Sequence, residues 1–323
     1  MKNLPAPFAP LVTGGEGLDR YPVRPGALAA RMAELYGVAP DQVLPVRGVT
    51  HGLELAYRLA ARAGQSVEAP QAEPFRTLAD LYARPGSEAR PGVVIVRPLG
   101  SPEGGSGRSP RLDPDPLAVD EGLAPLAKTP SAATVIADQA NLVVLRSLSL
   151  AYGLAGARVG AALGQAATLQ RLAAVLEPYA LPEVCVRLAL QALDPSRLIE
   201  TRERIAATVR ERARLTKALG REMAVEPGVG PVLMVRPTDP AAVRAALARF
   251  GIPAETAGER LRLPVSARAD INDRLLAALD LAPAQARPNR TGQAVRDTKE
   301  TRIVCAVDLD ATGPVSITTG VGF

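Results

Sequence analysis

The sequence is poor in the side chains that most often stack on bases, form disulfides or bind metals. Its 323 residues include no Trp, six Tyr, four Phe, two Cys and one His. So few aromatics leave little to stack on nucleic-acid bases, and the distant Cys185 and Cys305 form neither a disulfide framework nor a C-x-x-C motif. We therefore predict no metal site, and the low cysteine content fits a reducing cytoplasm.

Lysine and long apolar runs are also scarce. Only four of the 38 basic residues are Lys, so the net charge of +5 comes from arginine. Over 200–214 the arginines are interspersed with acidic residues, which indicates a solvated helix face rather than a basic stripe. No stretch of about 18 residues is free of charge, and the first residues lack the apolar core of a signal peptide. We therefore predict a cytoplasmic protein that binds neither nucleic acid nor a membrane.

The first half of the chain alternates helical periodicity with short apolar runs. Leu28, Met32 and Leu35 recur at helical spacing and predict a helix that Gly37 ends. A second helix is predicted over 51–63. The apolar runs that predict parallel-sheet strands buried on both faces lie at 43–46, 93–96, 117–119 and 142–145. Strands and helices in this order predict a mainly parallel α/β layer.

The second half predicts a smaller α+β domain followed by a tail. Helices are expected at 163–176, 183–193 and 195–219. A strand, helix, strand and helix are then expected at 229–235, 240–250, 261–265 and 269–281. The segment 282–289 has the composition of a linker, and alternating strands are predicted at 301–309 and 315–319 around a turn at 310–314.

One stretch and several ordered blocks resemble a known family. The segment 141–160, NLVVLRSLSLAYGLAGARVG, resembles T-L-S-K-A-F-G-L-A-G-L-R-x-G of histidinol-phosphate aminotransferases, which are fold-type I pyridoxal-phosphate enzymes. The blocks that follow the family's order are RYP at 20–22, RGVTHGLEL at 47–55, VDEGL at 119–123 and LRLPVS at 261–266. The resemblance therefore extends over residues 15–281.

This resemblance implies a phosphate site for pyridoxal 5'-phosphate. Val49 and Thr50 stand at a predicted helix N-terminus, where free N–H groups and the helix dipole hold phosphate. Arg158 matches the family's phosphate-binding arginine, and the hydroxyls of Ser147 and Ser149 add donors.

The resemblance also implies roles at the cofactor ring and for the substrate. Asp120 matches the carboxylate that keeps the pyridine nitrogen protonated. Tyr21 matches a tyrosine that reaches the phosphate across a homodimer interface, and Arg262 matches the arginine that binds the substrate carboxylate. The ligand implied is a small phosphorylated amino-alcohol or amino acid, with amino transfer between histidinol phosphate and 2-oxoglutarate as the family's reaction.

The decisive departure from the family pattern is Leu150. It occupies the position of the Schiff-base lysine, and leucine offers neither a nucleophile nor a base. Gly104 stands where the family has an asparagine, and Leu123 replaces a tyrosine. Ala72 replaces the aromatic that stacks on the ring, with Phe75 nearby as a substitute. These differences predict that no catalytic residue is retained, that activity is impaired or lost, and that any bound cofactor is held non-covalently.

Three further residues have simpler interpretations. His51 is interpreted as a polar residue at a helix start in preference to a catalytic one. Cys185 is interpreted as a small buried hydrophobe on a helix. Lys128 is a weak alternative to the missing lysine, because it is predicted to lie on another element.

The C-terminal segment 290–323 carries a second resemblance. Its RDTKETRI, LDATG and TGVGF match the opening of imidazoleglycerol-phosphate dehydratases, with Arg296 and Glu300 on the signature. That family builds a two-metal site from several histidines, and this segment contains none. We expect a truncated dehydratase hairpin without a metal centre.

The combined prediction is an α/β protein with a fold-type I large domain, a small α+β domain and a β-hairpin tail. The predicted boundaries are 1–220 for the aminotransferase-like region, 221–281 for the small domain, 282–289 for the linker and 290–323 for the tail. Two alternatives remain open. One is a non-catalytic protein that binds a phosphate ligand or dimerises, and the other is a fusion fragment whose complete form is the dehydratase.

Overall fold

The protein is described from a computed structural model. The structure describes residues 18–64, 66–68, 75–82, 91–96, 117–127, 130–281, 291–298 and 301–308. Its contacts divide the chain into two units, Met1–Leu281 and Ala282–Phe323. The predicted boundaries at 220 and 289 stay predictions, and Gly104, Ala72 and Lys128 lie outside the described residues.

A six-stranded mixed sheet is the centre of the first unit. Its strands are β1 Val43–Val46, β2 Ser66–Glu68, β3 Pro91–Val96, β4 Leu117–Asp120, β5 Leu142–Ser147 and β6 Gly160–Leu163. They lie in the order β1-β6-β5-β4-β3-β2, and β2 to β5 run parallel. The prediction of a mainly parallel α/β sheet is confirmed by these three parallel pairings.

Strand β6 corrects the prediction at one edge of the sheet. It pairs antiparallel with both β1 and β5, so Val43–Val46 has no parallel neighbour among the strands that the structure describes. No strand is predicted there from the sequence, because Gly-Ala-Ala-Leu lacks the β-branched and aromatic residues typical of strands. All four residues are buried, and such a site favours small side chains over strand propensity.

Helices cover both faces of this sheet. Those of the first unit are α1 Gly26–Tyr36, α2 Gly48–Arg62, α3 Phe75–Tyr82, α4 Ala166–Ala173, α5 Glu183–Ala192, α6 Pro195–Leu219, α7 Pro240–Arg249 and α8 Ala269–Ala278. Along β5 the alternation of side chains assigns Leu142 and Val144 to a core with α1 and α5. Val143 and Leu145 belong to the opposite core, with α2, α3 and α4.

A second, antiparallel sheet follows α6. It contains β7 Ala224–Val225, β8 Val232–Arg236, β9 Glu255–Ala257 and β10 Arg260–Pro264 in the order β7-β8-β10-β9. The predicted pattern of two strands and two helices is confirmed, and two short edge strands are added to it. The Asp239 side chain caps α7 by accepting the N–H groups of Ala241 and Ala242, both at 2.9 Å.

The second unit contains one described ribbon. Strands β11 Thr291–Asp297 and β12 Arg302–Asp308 pair antiparallel, with Val295 opposite Val304. The strand predicted at 301–309 therefore has a described partner at 291–297, where no strand was predicted. The partner predicted at 315–319 lies outside the described residues.

Candidate functional site

The candidate site begins where β1 leads into α2. Gly48, the first residue of the helix, has a φ of +73°, a left-handed conformation that favours glycine. A Cβ on Gly48 would lie 3.1 Å from Nη2 of Arg158. The guanidinium therefore lies directly over the helix N-terminus, whose first N–H groups have no partner within the helix. Val49 and Thr50 follow in this first turn.

The loop after β5 holds the arginine and two hydroxyls together. Ser147 Oγ accepts the N–H of Ser149 at 3.0 Å. Arg158 Nη1 donates to Ser149 Oγ at 3.5 Å and to the carbonyl of Ala155 at 3.3 Å. Arg158 itself has a φ of +54°, which is uncommon outside glycine and is typical of strained functional positions. The structure thus brings three of the predicted phosphate residues into one group.

Asp120 ends β4 beside this group. Its Oδ1 accepts the N–H of Gly122 at 2.8 Å. A Cβ on Gly122 would meet Asp120 Oδ1 at 3.1 Å, Val49 Cγ2 at 3.2 Å and the Ser147 Cβ at 3.6 Å. Asp120, Val49 and Ser147 therefore surround one small space, which the absence of a side chain at Gly122 keeps open.

The remaining predicted residues lie at the surface. Leu150 is 51% exposed in the loop that follows Ser149. Tyr21 is also exposed, and its ring stacks on Tyr179 with centroids 4.7 Å apart. Arg262, on β10, pairs with Glu255 at 3.9 Å. No contact described in the structure joins Tyr21 or Arg262 to the group around Arg158.

Comparisons with known proteins assign the family. Residues 119–278 match the family model "Aminotransferase class I and II". A histidinol-phosphate aminotransferase of Stenotrophomonas maltophilia is 32% identical over 312 residues, which cover 83% of this chain and 85% of that protein. The chain belongs to the histidinol-phosphate aminotransferase family. Pyridoxal 5'-phosphate is the cofactor of these aminotransferases.

Solved structures show the same fold at low identity. A putative histidinol-phosphate aminotransferase from Erwinia carotovora atroseptica superposes with a TM-score of 0.64 at 16% identity, covering 80% of this chain and 85% of that one. A Sinorhizobium meliloti histidinol-phosphate aminotransferase, solved in complex with pyridoxal 5'-phosphate, gives 0.59 at 17% identity, covering 80% and 82%. These likenesses confirm the fold-type I class.

A charged network beside α2 was missed by the sequence analysis of this aminotransferase-family chain. Glu177, in the loop between α4 and α5, binds Arg47 Nη2 at 2.5 Å, His51 Nε2 at 3.1 Å and Arg58 Nη1 at 3.5 Å. Burial raises the pKa of Glu177, but hydrogen bonds from its own backbone and from His51, with the charges of His51 and Arg47, outweigh burial and lower it to about 2. No local pattern marks Glu177, because its partners lie more than 110 residues away.

His51 connects this network to the helix start. Its ring is 3% exposed, and Nδ1 accepts the N–H of Arg47 at 3.0 Å while Nε2 faces Glu177. Burial lowers the pKa of His51, which keeps the ring neutral with its proton on Nε2. The contact with Arg47 agrees with the predicted polar role at a helix start.

Two smaller expectations, for Phe75 and Cys185, are corrected by the structure. Phe75, expected as a substitute for the ring-stacking aromatic, is 8% exposed and packs in the core with α2 instead. Its position as the first residue of α3 turns it toward that core. Cys185 lies on α5 and is half-buried, so it covers the core edge rather than its centre. Within the described residues, no group of His, Cys, Asp or Glu could hold a metal ion, and no helix is long and apolar enough to cross a membrane.

Proposed function

We propose that this chain is a phosphate-ligand-binding member of the histidinol-phosphate aminotransferase family that does not catalyse amino transfer. The observation that carries the proposal is Leu150, which is exposed beside Ser149 where the resemblance places the catalytic lysine. A leucine side chain forms no covalent bond to an aldehyde and moves no proton. The phosphate end is supported by Arg158, which lies over the N-terminus of α2.

The residues present have donors that suit the phosphate of the cofactor, but Leu150 cannot bond to its reactive aldehyde carbon. Arg158 lies so close to Gly48 that a Cβ at residue 48 would occupy the space between the guanidinium and the helix backbone. The N–H groups of Val49 and Thr50, the Ser149 hydroxyl and the Arg158 guanidinium would donate to phosphate oxygens. When bound, the cofactor supplies a ring that acts as an electron sink, which Asp120 would keep protonated. Arg262 would bind a substrate carboxylate, and Tyr21 would contribute across a homodimer.

Binding of pyridoxal 5'-phosphate tests the phosphate end. Removing a charged donor costs about 1.5–3 kcal/mol, so Arg158→Gln is expected to weaken binding by about 10- to 100-fold in equilibrium dialysis. Arg171→Gln is the matched control, because Arg171 is an exposed arginine on α4, outside the proposed site. Equal affinity of the two variants would contradict the assignment of the phosphate site.

Borohydride reduction tests the loss of covalent chemistry. The unmodified chain, incubated with pyridoxal 5'-phosphate and reduced, is expected to carry no pyridoxyl group on any lysine in peptide mass mapping. Amino transfer from histidinol phosphate to 2-oxoglutarate is expected to stay at the uncatalysed level. A specific adduct, on Lys128 or elsewhere, or measurable turnover, would overturn the proposal.

We also propose that residues 290–323 derive from an imidazoleglycerol-phosphate dehydratase and contribute no dehydratase activity. The proposal is supported by the ribbon of β11 and β12, on which Arg296 lies opposite Ile303. The sequence of this segment contains no histidine, so it supplies none of the metal ligands that the dehydratase family uses. A dehydratase assay with added Mn²⁺ is expected to show no turnover.

A further inference from the structure

A second cleft lies in the first unit, away from the candidate site. It has a volume of about 280 Å³ and is lined by residues of α1, the β5 strand and loop, and α6, among them Leu35, Tyr36, Arg146, Tyr152, Arg202 and Ile205. Arg146 and Ser147 are consecutive on β5, so their side chains point to opposite faces of the sheet. The cleft is therefore separate from the group that Ser147 forms with Ser149 and Arg158.

The cleft contains a buried phenol hydroxyl. The Tyr36 hydroxyl is buried, and no described residue meets hydrogen-bond geometry with it. Arg146 contacts the ring of Tyr36, with its guanidinium carbon 4.8 Å from the centroid. A buried hydroxyl without an acceptor is unfavourable, so a bound acceptor at this point would be favoured.

The charge that the cleft offers comes from Arg202. Arg146 is neutralised by Glu121, whose Oε2 accepts from Nη1 at 2.6 Å with both side chains largely buried. Arg202 makes no ion pair or hydrogen bond with any residue that the structure describes, and its positive charge acts on Tyr152. Among the described residues, Arg202 is therefore a cation without a counter-ion, and it lies at the cleft with Tyr36 and Tyr152.

Both phenols are held as hydrogen-bond donors. Burial is the main cause that raises the pKa of Tyr36, and the neighbouring Tyr152 raises it further, against the charge and the close guanidinium of Arg146. Burial also raises the pKa of Tyr152, against the charges of Arg146 and Arg202. Each hydroxyl therefore keeps its proton at neutral pH and can donate it to an oxygen acceptor.

We propose that this cleft binds a small organic monocarboxylate through Tyr36, Tyr152 and Arg202. Two hydroxyl donors and one uncompensated guanidinium match the two oxygens and the single charge of a carboxylate. A phosphate dianion would need a second cation, and Arg146 is already paired with Glu121. Leu35 and Ile205 provide an apolar wall for a short aliphatic or aromatic body.

Benzoate and its neutral analogue benzamide test the proposal in the full chain by isothermal titration calorimetry. Benzoate is expected to bind at least about tenfold more tightly than benzamide, since charged hydrogen bonds contribute more than neutral ones. Tyr36→Phe removes only the hydroxyl, and Arg202→Gln removes the charge while leaving a polar side chain. Each substitution is expected to weaken benzoate binding about tenfold, whereas Arg210→Gln, elsewhere on α6, is expected to leave it unchanged.

Three results would overturn the proposal. Benzoate binding no tighter than benzamide would show that the charge has no role. Unchanged affinity in Tyr36→Phe with retained thermal stability would show that the hydroxyl meets only water. A loss of benzoate binding in Arg158→Gln would place the ligand at the phosphate site instead. Because the readout is benzoate binding, failure here is distinguishable from failure of the proposed phosphate-binding function.

Discussion

At the scale of single residues, the proposed function depends most on Leu150. Around it, Ser147, Ser149 and Arg158 are held by backbone and hydroxyl hydrogen bonds that do not depend on a lysine. The group formed by Ser147, Ser149 and Arg158 therefore assembles with a leucine at position 150. Under the proposed function, a leucine at this position removes the covalent step, whereas the hydrogen bonds among Ser147, Ser149 and Arg158 remain.

Leu150→Lys is the direct test of this separation. We expect the substituted side chain, exposed beside Ser149, to become labelled when the variant is reduced with borohydride in the presence of pyridoxal 5'-phosphate. Turnover is expected to stay low, because Leu123 replaces a family tyrosine. Leu188→Lys, at another exposed leucine, is the control and is expected to stay unlabelled. No labelling of the first variant in peptide mass mapping would mean that the phosphate residues do not form a binding site.

His51 makes stability depend on pH near neutrality. Burial lowers its folded-state pKa below the ordinary 6.5, so the unfolded chain binds more protons as the pH falls through 6.5. Stability is therefore full above pH 6.5 and decreases below it, by at most about 1.4 kcal/mol per pH unit. Urea unfolding between pH 5 and 8 measures this slope.

The control for the pH effect is His51→Gln, which removes the only histidine of the sequence. Between pH 5.5 and 6.5 we expect its unfolding free energy to change much less with pH than that of the unmodified chain. Glu177, with a pKa lowered to about 2, contributes stability that is lost only as the pH falls below its ordinary 4.5, outside this window. Equal slopes for both chains would contradict the role assigned to His51.

Packing of secondary-structure elements explains why small residues recur around the candidate site. A Cβ on Gly160 of β6 would lie 2.9 Å from the Gly48 Cα and would also meet the Arg146 carbonyl. A Cβ on Gly52 of α2 would lie 2.6 Å from Leu145 Cδ2. Helix α2 therefore lies against β5 and β6 at backbone distance, which places its N-terminus beside the loop that carries Arg158.

Gly160→Ala tests this close packing. The added methyl group meets backbone atoms that cannot rotate away, so we expect a loss of about 1–3 kcal/mol of unfolding free energy. Gly156→Ala is the matched control, since a Cβ there would meet nothing within 4 Å, and its effect is expected within about 0.5 kcal/mol. Urea unfolding of both variants gives the comparison. Equal stabilities would show that β6 and α2 separate without cost.

At the scale of the whole molecule, the large first unit and the ribbon of the second unit differ in how far their apolar side chains are buried. In the first unit, two apolar cores lie on the two faces of one sheet. In the second, Val295, Ile303, Val304 and Val307 are each about half exposed. A two-stranded ribbon is marginal by itself in water.

Deletion of residues 286–323 tests whether the first unit depends on the ribbon. We expect the midpoint of thermal unfolding to shift by less than about 2 °C, because 1 kcal/mol corresponds to about 2–4 °C for a domain of this size. Solubility is expected to be retained or improved, since exposed apolar strand residues are removed. A large fall in the midpoint would show that the ribbon is an integral part of the fold.

Local pattern determined much of what could be predicted. Helix α6 begins and ends where its periodicity and Gly220 place it, at Pro195–Leu219. The apolar run at 142–145 became β5, and the ordered family blocks predicted the fold that the comparisons confirm. Apolar periodicity, caps and short motifs are properties of neighbouring residues, so they are readable before any packing is known.

Tertiary structure decided the features that join distant parts of the chain. Only packing selected Gly160–Leu163 as a strand, brought Glu177 to His51 and paired β12 with β11. The cleft beside Tyr36 likewise exists only where α1 and α6 meet the β5 strand and loop. Such contacts depend on the burial and close fit of side chains that are far apart in sequence, and no local periodicity records them.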